Sequence, residues 1–335
     1  MKPRPTIIDV AHHAGVSKST VSRVVSDGSQ GVSPETQQKV QAAIQTLGYE
    51  YNALAGGMRS NRTNLIMLAI PDIKNPFWPE VARGIQDVMD QEGYGVIFAN
   101  SDWSGKREVD FLRLARRNGL DGILVNPIQV SNAELVNSGI PCVVLGLSPD
   151  YPDFDIVGSD SHGATLSALE YLFQLGHRRI ALLHGRPQGR PRQARLEACK
   201  EFFQMHQLAI PPEWIIEVPY AHAGGELGMR KLAQLQPRPT AILASNDVIA
   251  IGALHAAVTL GLKIPNDLSL MGIDDIDAAS LTIPQLSTIC KPKYRIGEQA
   301  ARLLLERIRG TSSSPRRIAI PSQLVKRSST MELSG

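Results

Sequence analysis

Between Asn64 and Gly272 the chain alternates short, uninterrupted apolar runs with longer amphipathic stretches, and no other feature narrows its possible folds so far. Leu65-Ile66-Met67-Leu68-Ala69-Ile70 is the first run, and Pro71 ends it. Further runs stand at residues 95–99, 122–125 and 142–145, with helical periodicity over 80–92 and 106–118. The rhythm restarts at Gly163, with strands expected at 179–183, 214–218, 241–244 and 268–272. A strand that is apolar throughout has to be covered on both faces, so the pattern implies parallel sheets flanked by helices. Two similar α/β lobes are expected, each with ligand-capable loops at its strand ends.

The amino-terminal residues follow a different rule. Thr6-Ile-Ile-Asp-Val-Ala-His-His-Ala-Gly-Val-Ser-Lys-Ser-Thr-Val-Ser-Arg-Val-Val-Ser26 reads as two short helices around one tight turn. Ile8, Ala11 and Ala14 are expected on one face of the first helix, where small residues let a second helix cross closely. Gly15 stops that helix, Val16 points back into the small core, and Ser17 caps the next helix. That helix turns Val21, Val24 and Val25 inward and leaves Lys18, Ser19, Ser22 and Arg23 outside. Cationic and hydroxyl groups at the start of such a second helix suit base edges and phosphates in a major groove. An ordinary helical hairpin with a solvated face is the alternative. Ser33-Pro34-Glu35 then starts a third helix, with Val40, Ala43, Ile44 and Leu47 on one face and Gly48 at its end.

The motif Thr6-Ile7-x-Asp9-Val10-Ala11-x-x-Ala14-Gly15-Val16-Ser17-x-x-Thr20-Val21-Ser22-Arg23-Val24 resembles the amino-terminal signature of the lactose-repressor (LacI) family of bacterial transcription regulators. The resemblance extends through Leu47-Gly48-Tyr49, Pro71-Asp72-x-x-Asn75-Pro76-Phe77, Gly176-His177-Arg178-Arg179-Ile180, Ser245-Asn246-Asp247, Gly261-Leu262-x-Ile264-Pro265 and Gly272-Ile273-Asp274-Asp275. It implies an all-α helix-turn-helix DNA-binding domain joined to an α/β, two-lobe effector domain like the periplasmic sugar-binding proteins. The implied parts are a DNA-binding domain at 1–49, a hinge at 50–62 and an effector and dimerisation domain at 63–335. Its first lobe spans about 63–160 and 291–318, and its second about 161–290 and 319–331. Thr6, Ser17, Lys18, Ser19, Thr20, Ser22 and Arg23 become the DNA-contacting candidates, with Lys18, Ser19 and Arg23 reading the operator. Asn52, Ala55 and Met58 belong to the implied hinge helix, in which Met58 would act as an apolar wedge in the minor groove.

A pocket between lobes needs flat apolar surfaces and a few aimed polar groups. Phe77, Trp78 and Tyr220 meet the first need; Asp102, Arg195, Asn246 and Asp274 meet the second, and the family's effector contacts map onto these positions. Phe77 or Trp78 could equally be core, Asp247 reads better as a helix cap than as a ligand, and Asp274 and Asp275 could both cap. Arg186, Arg190, Arg192 and Arg195 form a cationic cluster that suits an anionic effector, with three of them expected in a solvated loop. Many sugar-responsive relatives carry an acid followed by Arg where this chain has Gly146-Leu147, so the usual hydroxyl partner is absent. A carbohydrate is the first reading of the effector, held against a nucleobase, a phosphorylated metabolite or no ligand.

Composition excludes more than it selects. At 335 residues the chain exceeds one typical domain. Its formal charge is only +3, but residues 1–62 hold seven Lys or Arg against four Asp or Glu, leaving 28 of each elsewhere. The positive excess therefore sits in the segment expected to meet phosphates. Cys142, Cys199 and Cys290 are widely spaced and are expected to be reduced core residues. His12 and His13 read as solvated, and no metal or cofactor is expected. No apolar run follows the first residues and none approaches a membrane span, so a cytoplasmic protein is expected.

No Gly-x-Gly-x-x-Gly or phosphate loop stands at a strand end, and no nucleophile, base and acid set emerges, so no enzyme is expected. A sugar-binding protein without regulatory DNA binding is the remaining alternative. The carboxy-terminal residues 327–335 add no heptad helix, which favours a homodimer over a coiled-coil tetramer. By family analogy the dimer would use the first lobe and the helix over 294–309. The expected partners are thus a near-palindromic operator, a small effector and a second copy of the chain. Gly56-Gly57 departs from a stable hinge helix, since each interior Gly costs ~1 kcal/mol relative to Ala. Replacing both by Ala should tighten operator binding in a gel-shift titration, and an unchanged affinity would show that the hinge does not fold on DNA.

Overall fold

The computed structural model describes residues 5–25, 31–49, 62–186, 194–311 and 314–333. Asn52, Ala55, Met58, Gly56-Gly57, Arg190 and Arg192 lie outside these residues. The chain divides into two compact units, Met1–Thr63 and Asn64–Gly335.

The smaller unit contains three helices, α1 (Ile7–Ala14), α2 (Lys18–Val25) and α3 (Pro34–Leu47). Gly15 ends α1 at φ 65°, in the left-handed region where an L side chain is strained. The next amide, that of Val16, then donates to the Ala11 carbonyl at 3.0 Å, which turns Val16 back toward the core. Val10, Ala11, Val21, Val40 and Ala43 form that core, with Ile7, Ala14 and Val24 packed around it. Ile8 is not part of it: it is 62% exposed, because the buried stripe runs through positions 7, 10, 11 and 14. Ser33 caps α3 by accepting from the Thr36 amide, Pro34 follows it, and Gly48 closes the helix at φ 61°.

The larger unit carries two six-stranded sheets. The first comprises β1 (Leu65–Ile70), β2 (Gly95–Asn100), β3 (Gly122–Val125), β4 (Cys142–Leu145), β5 (Asp155–Gly158) and β11 (Arg317–Ala319). The second comprises β6 (Ile180–Arg186), β7 (Ile215–Pro219), β8 (Ala241–Ala244), β9 (Ser269–Asp274), β10 (Ser287–Cys290) and β12 (Gln323–Val325). Strand orders are β11-β5-β4-β3-β1-β2 and β12-β10-β9-β8-β6-β7. All pairings are parallel except that of β12 with β10. Each sheet has one core on either face: Ile66, Leu68 and Ile70 enter one cluster, whereas Met67 and Ala69 enter the other. The continuous apolar run of β1 is thus two interleaved period-2 faces.

Helices α4 (Phe77–Gln91), α5 (Gly105–Arg117), α6 (Asn132–Ser138) and α12 (Lys293–Arg309) accompany the first sheet. Helices α7 (Ser161–Gln174), α8 (Ala194–Met205), α9 (His222–Ala233), α10 (Asp247–Thr259) and the short α11 (Asp277–Leu281) accompany the second. The chain passes between the sheets three times, after Gly158, after Cys290 and after Ala319. Helix α4 starts three residues before the periodicity predicts. The Asn75 side-chain oxygen accepts from the Phe77 amide at 3.0 Å, and Pro79 is tolerated in a first turn that needs no amide donor there. Strand β5, short and bounded by polar residues, escaped the periodicity altogether. Cys290 is only half-buried, in contrast to Cys142 and Cys199, because it ends β10 where the chain leaves the second sheet.

The return of the chain to the first sheet hangs on Asp155. This carboxylate is fully buried and accepts from Arg307 Nε at 2.7 Å, from the Arg316 amide at 2.7 Å and from Arg316 Nε at 3.1 Å. Burial raises its pKa, but the hydrogen bonds from Arg307 and Arg316 outweigh that and hold it below the ordinary carboxylate value. A depressed folded-state pKa stabilises the fold above the unfolded value of about 3.9 and is lost as pH falls through the folded value. Asp155→Ala should therefore cost about 3–5 kcal/mol near neutral pH, since it strands a buried charge network. Thermal midpoints measured from neutral to acid pH check this: the gap between variant and parent should close in acid.

Candidate functional site

Two surfaces carry chemistry, one in each unit. In the helix-turn-helix, Thr6 forms a reciprocal cap with Asp9: its amide and hydroxyl donate to Asp9 Oδ2, each at 2.7 Å, and its hydroxyl oxygen accepts from the Asp9 amide. Ser17 accepts from the Thr20 amide at 3.1 Å, and its hydroxyl also meets those of Ser19 at 2.7 Å and Thr20 at 2.8 Å. These caps set the start of α2. Lys18, Ser19 and Arg23 are exposed, Ser22 and Thr20 are half-buried, and α2 contains no acid. Its outer face therefore offers donors and positive charge. His12 and His13 are exposed on α1.

In the larger unit, a cleft opens between the two sheets, where the carboxyl ends of their parallel strands face each other. The structure brings Phe77, Trp78, Arg195, Tyr220, Asn246 and Asp274 to this one cleft. Phe77 and Trp78 meet edge to face with centroids 5.0 Å apart; Phe77 is half-buried, whereas Trp78 is 6% exposed and mostly core. Arg195, buried on α8, donates from Nη1 to the Tyr220 hydroxyl at 3.1 Å. Its Nε is buried and has no hydrogen-bond partner among the described residues. Such a donor is costly unless something accepts from it.

Asp102 does not join them. It stands at φ 48°, exposed, accepting from Asn100 Nδ2 at 2.5 Å and paired with Arg107. Its neighbour Trp103 turns into the cleft instead and stacks on Tyr220, centroids 5.2 Å apart and planes at 20°. This stack joins a residue after β2 to one after β7 and so spans the two lobes. Consecutive left-handed conformations at Asp102 and Trp103 (φ 61°) put the ring there, and no periodicity in the sequence announces such a turn.

The floor also differs from expectation. Asn246, rather than Asp247, caps α10, accepting from the Ile249 amide at 2.9 Å. Asp247 lies fully buried beneath it, accepting from the Ile276 amide at 2.9 Å and the Thr288 hydroxyl at 2.6 Å. Burial, with the nearby Asp274 charge adding to it, pushes its pKa up to about 7 despite those bonds. Asp274 caps nothing; it pairs with Lys291 at 3.2 Å, both side chains being buried. Asp275 pairs with Arg327 at 2.7 Å. Lys291 Nζ lies 5.6 Å from the Phe77 ring centroid and lines the cleft, a role that sequence reasoning missed. No apolar run announces the strand end before it, since β10 reads Ser-Thr-Ile-Cys. Asn126, Gly146 and Ser159 complete the first-lobe wall, where Asn126 Nδ2 donates to the Leu145 carbonyl at 2.6 Å.

The family model of bacterial regulatory proteins, lacI family, matches residues 6–52, and that of a periplasmic binding protein-like domain matches residues 169–330. Catabolite control protein A of Priestia megaterium is 33% identical over 329 residues, covering 97% of this chain and 99% of its own. This chain belongs to the LacI family. It is a DNA-binding regulator of transcription and not an enzyme. Among solved structures, the lac repressor dimer bound to operator and the anti-inducer ONPF matches with TM-score 0.86 at 27% identity, covering 98% of this chain and 100% of that one. A LacI family regulator from Enterococcus faecium with bound ribose matches with TM-score 0.72 at 30% identity, covering 81% and 100%.

In this LacI-family chain the inter-lobe stack depends on one close approach. A Cβ on Gly185 would stand 2.4 Å from the Tyr220 ring, so only glycine leaves the ring its place. Gly185→Ala should displace Tyr220, at a cost of about 1–3 kcal/mol for overpacking. Loss of the Trp103 near-ultraviolet dichroism, with far-ultraviolet dichroism retained, would report the broken stack.

Proposed function

We propose that this regulator is a homodimeric repressor whose operator affinity is set by a sugar or sugar derivative held between its lobes. Lys18, Ser19 and Arg23 enter the major groove and contact bases, Thr6, Ser17, Thr20 and Ser22 contact the adjoining backbone, and Asn52, Ala55 and Met58 enter the central minor groove. Residues 1–49 thus read DNA, 50–62 transmit, and 63–335 sense and dimerise. A protein whose partner is chromosomal DNA works in the cytoplasm; among the described residues no helix is long and apolar enough to cross a membrane.

The observation that carries the reading is the cleft itself. Phe77 and the Trp103–Tyr220 stack supply apolar ring surface for a pyranose or furanose, and Arg195, Asn246, Asp274 and Lys291 converge around them. Arg195 Nε supplies a buried donor in need of an acceptor, which a hydroxyl oxygen provides. The ribose bound by the Enterococcus faecium relative supports the same ligand class. An effector that changes the angle between lobes while touching both alters operator affinity by a coupling free energy of ~1 to 3 kcal/mol. Leu281 and Ile283, 80% and 90% exposed, are the most exposed large apolar side chains of the larger unit and favour a second copy against it.

Selection of random duplexes by the purified protein, with and without a panel of sugars, nucleobases and phosphorylated metabolites, tests this. The expected outcome is one inverted-repeat site whose enrichment changes with one sugar. Arg195→Ala should weaken that sugar's effect at least about tenfold, the worth of a charged hydrogen bond, and leave binding of the bare protein to the site intact. A site that responds only to a nucleobase or a phosphate ester would replace the sugar reading.

A further inference from the structure

Outside the cleft, the described residues bring three metal-ligating side chains together: His222 and Glu226 on α9 and His255 on α10. We propose that this triad is a binding site for a divalent transition metal of the Zn²⁺ type, clamping the two helices of the second lobe.

The geometry is that of a ligand set. Glu226 Oε1 lies 3.6 Å from His222 Nδ1 and 3.1 Å from His255 Nδ1. One ligand atom from each residue falls within 4.8 Å of the others. Ligands at about 2.0–2.1 Å from a tetrahedral Zn²⁺ stand about 3.3 Å apart, so the two measured separations bracket that edge. Two imidazoles and a carboxylate suit Zn²⁺, whereas Ca²⁺ and Mg²⁺ prefer all-oxygen sets. Three protein ligands leave a fourth position for water. The side chains are 45%, 34% and 65% exposed for His222, Glu226 and His255, so an ion reaches them from solvent.

The backbone holds the ligands in place without the ion. His222 and Glu226 are four residues apart on one helix face, and His255 faces them from a helix in backbone contact. A Cβ on Gly252 would stand 1.9 Å from the His222 carbonyl oxygen, and one on Gly225 would stand 1.9 Å from the Ile249 carbonyl oxygen. These two glycines let α9 and α10 touch at the level of the triad. The rings of His222 and His255 accordingly lie 5.5 Å apart between centroids. A site preorganised on two rigid helices loses little entropy on binding.

The ordinary alternative is that Glu226 only pairs with protonated imidazoles. Titration calorimetry of the untagged full-length protein with ZnCl₂ separates the two. The proposal expects one Zn²⁺ per chain, an affinity about tenfold weaker or worse in His255→Ala and in Glu226→Gln, and no binding in His222→Ala with His255→Ala. Co²⁺ in place of Zn²⁺ should give the intense visible bands of a tetrahedral N/O site, absent from the double variant. Zn²⁺ should also raise the thermal midpoint of the parent and not of the double variant. The exposed positions of both imidazoles make these substitutions compatible with folding, which circular dichroism checks. A stoichiometry well below one, or a double variant that binds as the parent does, overturns the proposal and leaves an ion-paired surface cluster.

Discussion

Two lysines are buried where the chain leaves the second sheet for the last helix of the first, and a buried ammonium is tolerable only when its charge and donors are met. Lys291 meets Asp274 at 3.2 Å. Lys293 donates to the Asp274 and Asp275 carbonyls at 3.0 and 2.6 Å and lies 3.4 Å from Glu80 on α4. One lobe thus supplies acceptors to a cation that the other lobe's helix carries. The turn at Asp274 and Asp275, with φ of 120° and 55°, is held by these bonds, by the Asp275 pair with Arg327 and by Asp247 beneath it. The floor of the cleft and the joint between the lobes are therefore one electrostatic assembly.

A second connection between the lobes is apolar. Trp103 against Tyr220 joins the lobes through ring faces, and Arg195 ties the tyrosine hydroxyl to α8. The two connections between the lobes thus differ in kind: one is a ring stack, the other a directional charge network. Rigidity sits elsewhere, in sheets whose strands are packed on both faces and in the Asp155 cluster that anchors the final return to the first sheet.

Much of this was legible from residue order because its causes are local. Gly15, Ser17, Ser33-Pro34 and Gly48 each do at their own position what a helix end requires, so the three amino-terminal helices followed from spacing and caps. Ile8 lies outside the core, against the expectation from spacing, because adjacent Ile7 and Ile8 satisfy nearly the same period and only packing against α3 selects between them. Six of the seven residues expected at a pocket line one cleft because strand ends in parallel sheets converge on one edge. Asp102 lies outside the cleft lining because a local left-handed turn pairs it with Asn100 and Arg107; Trp103 and Lys291 line the cleft through partners about 117 and 17 positions away, a relation that no local period expresses.

What the sequence by itself determined is the family, the amino-terminal helices and eight of the twelve described strands, but not β5, β10, β11 or β12. Periodicity, caps and turn residues act within a few positions, and each of them forces one local conformation. What only the tertiary structure decided is which side chains share a charge, a ring face or a backbone contact across the lobes. Glycines 185, 225 and 252 read alike in the sequence, yet one makes room for a tyrosine ring and two bring helices into touch. The reason is physical: close approach and charge burial are set by three-dimensional distance, and the chain passes between the two sheets three times.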